Sequence, residues 1–284
     1  MSTATATPAT GTSAQPRRRA SYAQQVRTLV WRNLRHIKRQ PEMLSDVTIQ
    51  PVMFVLLFAF VFGGSIQTAS ASGYREWLLP GIMAQTMAFA SFIVALGLNN
   101  DLDKGIIDRF RSLPMSTSSV LVARSVSSLI HSSIGIVVMA LTGLIVGWRI
   151  RDGFANAVLG FALLLLFGFA MIWIGILVGS AMRSVEAVNG VMFSTMFPIT
   201  FLANTFAPTE NMPSVLRTIA EWNPISALVQ ALRELWGNLG GAPVPSSAAW
   251  PLQHAVLVSA AWSILIAAIF APLALRAYRR RTTD

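Results

Sequence analysis

The stretch NNDLDKGIIDRFRSLPM (residues 99–115) is the longest strongly polar interval between two long apolar runs of this sequence. Its apolar residues recur every three or four positions, at Leu102, Ile106, Phe110 and Leu113. This spacing places them on one face of a short helix. Pro114 ends that helix, because proline has no backbone N–H and disfavours helical geometry in the residue before it. The sequence therefore predicts an amphipathic helix between two membrane-embedded segments.

The composition of the whole chain is that of a membrane protein. Hydrophobic residues make up 54% of the 284 residues and charged residues 12%, whereas a soluble domain has about 25% charged residues. A helix needs about 20 apolar residues to cross about 30 Å of hydrocarbon. Six runs are long enough, at about residues 47–66, 79–98, 120–147, 154–180, 187–206 and 251–275. We expect an all-α polytopic membrane protein with one six-span transmembrane domain over residues 41–275.

The segments outside the apolar runs have distinct compositions. Residues 1–20 are rich in Ser, Thr, Ala and Pro and end in three arginines, which predicts a disordered basic tail. Residues 21–40 form a basic amphipathic pattern that is too polar to span, so we expect an interfacial helix. Residues 207–250 hold two short amphipathic pieces broken by proline and glycine, which indicates short re-entrant helices before the last span. The candidate interfacial residues are Arg27, Trp31, Arg35 and Arg39.

The distribution of lysine and arginine predicts the orientation of the chain. With a cytoplasmic N-terminus and six spans, 17 of the 22 basic residues lie inside. The five outside are Arg75, Arg149, Arg151, Arg217 and Arg233. We therefore expect both termini, the basic tail at residues 276–284 and the 99–115 stretch to be cytoplasmic, with residues 207–250 outside. The net charge of +10 then reflects membrane topology and does not indicate nucleic-acid binding.

The sequence offers little chemistry of its own. It contains two lysines, Lys38 and Lys104, and neither follows a glycine, so no phosphate-binding loop of the form G-x-x-x-x-G-K-[ST] is present. No acidic residue lies in the middle of an apolar run, which argues against an ion-coupled carrier. The three histidines and absent cysteines predict no metal site and no catalytic residue. Arg183 and Glu186 suggest an interfacial ion pair.

Several residues within the apolar runs are candidates for a substrate cavity. Methionine and aromatic side chains adapt to varied apolar ligands, although ordinary lipid-facing or core packing is the more common role of any single one. His131 is open to both readings, since a neutral imidazole can bond a nearby serine. The candidate cavity residues are Met83, Met87, His131, Phe193, Met196 and Phe197. The patterns Gly143-x-x-x-Gly147 and Gly175-x-x-x-Gly179 permit close contact between helices.

Three segments of the sequence resemble a known family. They are PEMLSDVTIQPVMF at residues 41–54, continuing into FVFGG at 60–64, then GIIDRFRSLPM at 105–115, and NPI at 223–225. Together they resemble the membrane subunits of ATP-binding-cassette exporters of the second type. The first segment is similar to the permease of daunorubicin/doxorubicin-type drug-resistance exporters from actinomycetes.

This resemblance implies a function and a set of partners. The chain would be a plasma-membrane permease that exports amphipathic drug-like or lipid-like molecules and is not itself an enzyme. Two copies of a separate ATPase subunit would bind ATP and Mg²⁺, leaving this chain without a cofactor, and a second permease chain would form a homodimer. The second and fifth spans would border the substrate cavity. The 99–115 stretch becomes a coupling helix seated in the ATPase, with Leu102, Lys104, Ile106, Asp108, Arg109, Phe110, Arg111 and Leu113 as coupling residues.

Three other functions remain open from the sequence. A glycan or lipid-linked polymer exporter belongs to the same family. An ion-coupled carrier would need no ATPase. A non-transporting membrane scaffold would use the same cytoplasmic helix to recruit a protein.

Overall fold

The computed structural model describes residues 21–39, 41–62, 71–104, 116–239 and 248–283. The described residues are mainly helical, and none of them lies in a β-strand. The α-helices are α1 (Tyr22–Arg39), α2 (Pro41–Leu57), α3 (Ala71–Asp103), α4 (Thr117–Val146), α5 (Gly153–Ala181), α6 (Val185–Phe201), α7 (Ser214–Glu221), α8 (Pro224–Trp236), α9 (Trp250–Gln253) and α10 (Ala255–Thr283). A π-helical turn at Phe58–Phe62 continues α2, and a 3-10 turn at Thr209–Asn211 precedes α7.

Four of the described helices are long and apolar enough to cross a membrane. They are Gly73–Asp103, Ser118–Val146, Gly153–Ala181 and Ala255–Arg281. The apolar part of the first predicted span, Thr48–Val61, is shorter. α6 has 17 residues, and at 1.5 Å per residue it is about 25 Å long. The fold is therefore an all-helical polytopic membrane protein, while the count of six spans stays a prediction.

The boundaries of two helices differ from the sequence-based expectation. α3 continues without a break to Asp103, so the first part of the 99–115 stretch extends the second span. The polar residues there are tolerated because Asn99 is buried against the end of α5, where it finds hydrogen-bond acceptors. α10 likewise continues to Thr283, so most of the basic tail predicted at residues 276–284 is helical. Residues 105–115, which include most of the predicted coupling helix, lie outside the described residues.

α5 lies at the centre of the bundle and packs against α3 on one side and α10 on the other. A Cβ at Gly175 would collide with the carbonyl oxygen of Ser91, and one at Gly179 would lie 2.5 Å from that of Ala95. The Gly175-x-x-x-Gly179 pattern therefore allows α3 and α5 to touch along their backbones, as predicted. In the Gly143-x-x-x-Gly147 pattern, the second glycine does not contact another helix. Gly147 ends α4 in the left-handed conformation, with φ 108° and open space around it.

The two ends of the bundle are built differently. At one end, here called the loop end, α1 and the start of α4 meet the last turns of α3, α5 and α10. At the other, the cap end, short helices α7 to α9 follow α6. The two amphipathic pieces predicted there are α7 and α8. α8 is almost entirely buried against α3, α5 and α10, whereas α7 exposes its apolar residues Val215, Leu216 and Ile219.

Candidate functional site

The last turn of α3 is held at the loop end by two ion pairs. Asp101 pairs with Arg124 of α4. Asp103 accepts a hydrogen bond of 3.0 Å from Arg281 near the end of α10. These bonds tie the residues that enter the 105–115 segment to two other helices.

The end of α5 is bound by the same group of residues. The last carbonyls of a helix have no partner within it, so they need donors from elsewhere. The amide of Asn99, which is fully buried, donates to the carbonyl oxygens of Gly179 at 3.1 Å and Met182 at 2.7 Å. Arg281 donates to the same two carbonyls, with a distance of 3.3 Å to Gly179. The positive charge of the guanidinium also interacts favourably with the negative, C-terminal end of the α5 dipole.

The residues that directly follow the 105–115 segment, at the start of α4, are hydrogen-bonded to α1. Ser116 is the N-cap of α4, and its hydroxyl accepts a 3.3 Å bond from the N–H of Ser119. The side-chain oxygen of Gln25 accepts from the backbone N–H of Ser116 and from the hydroxyl of Ser119, both at 3.2 Å. Farther along, Asn33 donates to Ser127 at 3.3 Å, and Leu29 is buried. Both ends of the segment are therefore anchored, which fixes where it leaves the bundle.

Few of the predicted coupling residues are among those described. Leu102 is partly buried and packs against a cluster of apolar side chains from α3, α4, α5 and α10, so much of its surface is already covered. Lys104 is exposed. The others, Ile106, Asp108, Arg109, Phe110, Arg111 and Leu113, lie outside the described residues.

The predicted interfacial residues lie on the face of α1 that points away from α4. Arg27, Trp31 and Arg35 are all exposed, with Trp31 58% exposed. The Arg35 guanidinium lies 5.0 Å from the centroid of the Trp31 ring, a cation–π contact. Arg39 is the last residue of α1, and its side chain lies outside the described residues.

The structure divides the predicted cavity residues into two groups. Met83, Met87, Met196 and His131 are buried within the chain. Met196 accepts a hydrogen bond from Ser91 of α3 at 3.5 Å, so it helps to pack α6 on α3. The remaining two cavity candidates are not buried with them. Phe193 and Phe197 are 60% and 42% exposed on the outer face of α6.

The exposed pair belongs to a longer row of aromatic rings. On α6, the ring centroids of Phe193 and Phe197 lie 5.1 Å apart, and those of Phe197 and Phe201 4.2 Å apart. The row continues to Phe206 at 5.4 Å and then to Phe58 of the π-helical turn at 4.6 Å. Phe58 also stacks with Phe54 of α2 at 5.8 Å. This phenylalanine row comprises Phe54, Phe58, Phe193, Phe197, Phe201 and Phe206.

The predicted cavity residues include two members of this row, Phe193 and Phe197. Its three α6 members are spaced four residues apart, and so are its two members in the first apolar run, a periodicity visible in the sequence. Their meeting through Phe206 depends on how α2 and α6 approach each other. A small cavity between Val55, Leu79 and Trp148 has a volume of about 10 Å³, room for one water molecule and too little for an organic ligand.

At the cap end, Arg233 joins three elements although it is only 1% exposed. Its guanidinium donates to the backbone carbonyls of Trp77 at 2.9 Å, Asn204 at 3.0 Å and Thr205 at 3.3 Å. It also lies 3.4 Å from the centroid of the Trp77 ring. Burial lowers the pKa of Arg233 well below its ordinary value, and these acceptors compensate the buried charge. The sequence identified Arg233 only as one of five external charges.

Neighbouring residues of α8 hold the end of α6 in the same way. Asn223 donates to the carbonyl of Ile199 at 2.7 Å, and Ser226 accepts from the N–H of Asn204 at 3.0 Å. The predicted ion pair between Arg183 and Glu186 is not formed among the described residues. Ser184 caps α6 there, with its hydroxyl accepting from the N–H of Ala187 at 3.2 Å. α6 is thus fixed by caps and hydrogen bonds at both ends.

Comparisons with known proteins show what this chain is similar to. Residues 24–236 match the model of the family described as ABC-2 type transporter. The chain is 30% identical over 263 residues to the daunorubicin resistance ABC transporter permease protein DrrB1 of Streptomyces coeruleorubidus, covering 93% of this chain and 89% of the relative. It is 24% identical over 235 residues to the probable doxorubicin resistance ABC transporter permease protein DrrC of Mycobacterium tuberculosis, covering 83% and 81%. The putative transport permease ycf38 of Cyanophora paradoxa is 24% identical over 220 residues, 76% of each chain.

Proposed function

This chain belongs to the ABC-2 type transporter membrane family, and from that premise we propose that it is the permease subunit of an ATP-driven drug exporter. The substrates are amphipathic drug-like or lipid-like molecules. The observation that carries this substrate class is the phenylalanine row, whose three α6 members are each more than two-fifths exposed. Two relatives with daunorubicin or doxorubicin resistance in their names support the same class.

The energy for transport comes from a separate ATPase subunit, present in two copies that bind ATP and Mg²⁺. The sequence of this chain carries no phosphate-binding loop, so ATP hydrolysis by that route belongs to another protein. Residues 105–115 are the contact for the ATPase. The bonds that anchor both flanks of that segment support this assignment, since a displacement of the segment then moves α3 and α4 with it.

The loop end of the bundle faces the cytoplasm. Basic side chains are concentrated there, and cytoplasmic segments of membrane proteins carry an excess of lysine and arginine. They include Arg27, Arg35, Arg124, Arg276 and Arg281. Both termini are then cytoplasmic, and the protein lies in the inner (plasma) membrane.

Two shorter helices complete a six-span domain. α2 and the π-helical turn after it form a continuous helical segment of 22 residues, about 33 Å long at 1.5 Å per residue. α6 is about 5 Å shorter than the hydrocarbon core, a mismatch that local thinning of the bilayer accommodates at modest cost.

A second permease chain, a copy of this one, covers the exposed face of α6. The exposed rings of Phe193, Phe197 and Phe201 would otherwise face lipid alone, and stacked aromatic rings suit planar apolar ligands. The substrate cavity in this arrangement lies between the two copies. The buried methionines Met83, Met87 and Met196 then support the wall and do not touch the substrate.

Reconstitution with the partner ATPase in lipid vesicles tests the substrate class. We expect ATP-dependent movement of doxorubicin, with an apparent affinity that falls about 2- to 13-fold in Phe197→Ala, the factor that corresponds to one aromatic contact. Phe154→Ala is the matched control, because Phe154 is 84% exposed at the start of α5 and lies outside the row. Equal losses in both variants would refute the assignment of the row.

The same vesicles separate the other functions. ATP-dependent movement of a lipid-linked sugar in place of doxorubicin would indicate a polymer exporter. Transport that persists without ATP would indicate an ion-coupled carrier. An ATPase activity that no substrate stimulates would indicate a scaffold.

The ATPase contact is tested by replacing both Phe110 and Arg111 with alanine. We expect the double variant to reach the membrane and to lose ATP-driven transport, because two of the predicted coupling residues are truncated. Full assembly and full transport in this variant would place the contact elsewhere on the chain.

A further inference from the structure

The C-terminal ends of α3, α5 and α10 are joined by one set of hydrogen bonds, here called the carbonyl clasp. It consists of Asn99 and Asp103 on α3, Arg281 on α10, and the carbonyl oxygens of Gly179 and Met182 at the end of α5. The residues come from positions up to 182 apart in the sequence, and no motif links them.

Of the three clasp side chains, Arg281 is the one that bonds both of the other helices. One of its terminal nitrogens, Nη1, donates to the two α5 carbonyls, and the other, Nη2, donates to Asp103 at 3.0 Å. This division uses the rigid planar fork of arginine, which lysine does not have. Asn99 adds a second, independent link between α3 and the same carbonyls.

The clasp lies close to two parts of the chain, the 105–115 segment and α6. The proposed function requires movement of the first to reach the second. Asp103 is two residues before the 105–115 segment. Met182 is two residues before Ser184, the N-cap of α6, and α6 carries the exposed phenylalanines. Only Arg183 therefore separates the clasp from the cap of the substrate-facing helix.

We propose that the carbonyl clasp transmits movement of the ATPase-contacting segment to α6, and that Arg281 is its positioning residue. This inference rests on the proposed function and assigns a role to the C-terminal helix in it. When the 105–115 segment is displaced, α3 carries the end of α5 with it through Asn99 and Arg281, and the three-residue connection of Met182, Arg183 and Ser184 passes the displacement to α6. The C-terminal helix α10 therefore takes part in transmitting the movement, in addition to spanning the membrane.

The absence of cysteines from the sequence allows a direct test with paired spin labels. Lys104→Cys and Arg183→Cys place one label on each side of the clasp, and both native side chains are exposed. The distance between the labels is measured in the complex with the ATPase, without nucleotide and after vanadate trapping. With an intact clasp we expect one narrow distance that is the same in both states. In Arg281→Ala we expect a broader distance that differs between the states.

A transport measurement accompanies the distances. The number of doxorubicin molecules moved per ATP hydrolysed is expected to fall about tenfold in Arg281→Ala, as charge-assisted bonds of this kind are lost. Arg281→Lys is expected to fall between the wild type and Arg281→Ala, because lysine keeps the charge without the fork. Arg276→Ala is the matched control on the same helix, where the arginine is exposed. It is expected to keep the wild-type ratio.

Each result decides between the alternatives. An unchanged transport ratio in Arg281→Ala, or a label distance that already differs between states with the clasp intact, overturns the proposal. If Arg281→Ala does not assemble, Asp103→Asn takes its place, because it removes the negative charge that pairs with Arg281 and leaves α10 intact, and the Asp103 side chain is 37% exposed. If the wild-type complex moves no drug, the proposed function fails, while the label distances still decide whether the clasp holds the two segments together.

Discussion

The contact between α3 and α5 predicts that alanine in place of glycine destabilises the protein at that contact and stabilises it at a control site. Gly179 faces the backbone of α3, and a Cβ there would lie 2.5 Å from the carbonyl oxygen of Ala95. Gly190, on α6, has open space around the same position. Replacing each glycine with alanine adds the same methyl group to a helix. At Gly179 the methyl group meets the backbone of α3, and at Gly190 it meets open space.

The size of the effect follows from two opposing contributions. Ordinary contact distances of 3.4 Å or more require α3 and α5 to move apart by about 1 Å, and overpacking of this kind costs about 1–3 kcal/mol. Alanine gains about 1 kcal/mol over glycine in a helix interior. Because the neighbour is backbone, which cannot rotate away, we take the upper end of the cost. The net change is then about 2 kcal/mol of destabilisation at Gly179 and about 1 kcal/mol of stabilisation at Gly190.

The assay is thermal unfolding of the purified permease in detergent, followed by the loss of the monodisperse peak in size-exclusion chromatography. One kcal/mol corresponds to about 2–4 °C for a chain of this size class. We expect Gly179→Ala to lower the Tm by about 4–8 °C and Gly190→Ala to raise it by about 2–4 °C. Shifts of the same sign and size at both positions would show that the close approach of α3 and α5 is wrong.

Two further predictions concern the anchors at the ends of the bundle. Gln25→Ala removes the acceptor for Ser116 and Ser119 and is expected to cost about 1 kcal/mol, the usual net value of a hydrogen bond. The measured effect is weaker co-purification of the ATPase. Undiminished co-purification would show that α1 does not position the loop. Arg233→Met leaves the carbonyls of Asn204 and Thr205 without their donor and is expected to cost at least about 3 kcal/mol, seen as a Tm loss of about 6 °C or more. A Tm equal to that of the wild type would contradict the central role of Arg233 at the cap end.

The sequence could predict much of the fold because hydropathy and periodicity are local properties. An apolar run that lies in lipid forms a helix wherever it packs, since a helix satisfies all the backbone hydrogen bonds within the segment. The same reasoning predicted α1 from its basic amphipathic pattern and the short helices α7 and α8 from their proline breaks. The glycine spacing at Gly175 and Gly179 likewise predicted a close contact, which α3 supplies.

The candidate site depended more on tertiary structure. The predicted cavity residues share a composition, yet the rotation of α3 and α6 about their axes buries Met83 and Met196 and exposes Phe193 and Phe197. Side-chain type does not encode that rotation, which is set by the neighbours on every side.

The polar stretch at residues 99–115 shows both limits together. Its amphipathic pattern by itself determined that two membrane helices are joined there by a short polar connection. Only the tertiary structure decided that Asn99 and Asp103 belong to α3, that Asn99 bonds the end of α5 and that Asp103 bonds Arg281 at the end of α10. Such a meeting is fixed by the crossing of helices distant in sequence, because the orphan carbonyls at the end of α5 need donors and accept those that packing brings within reach.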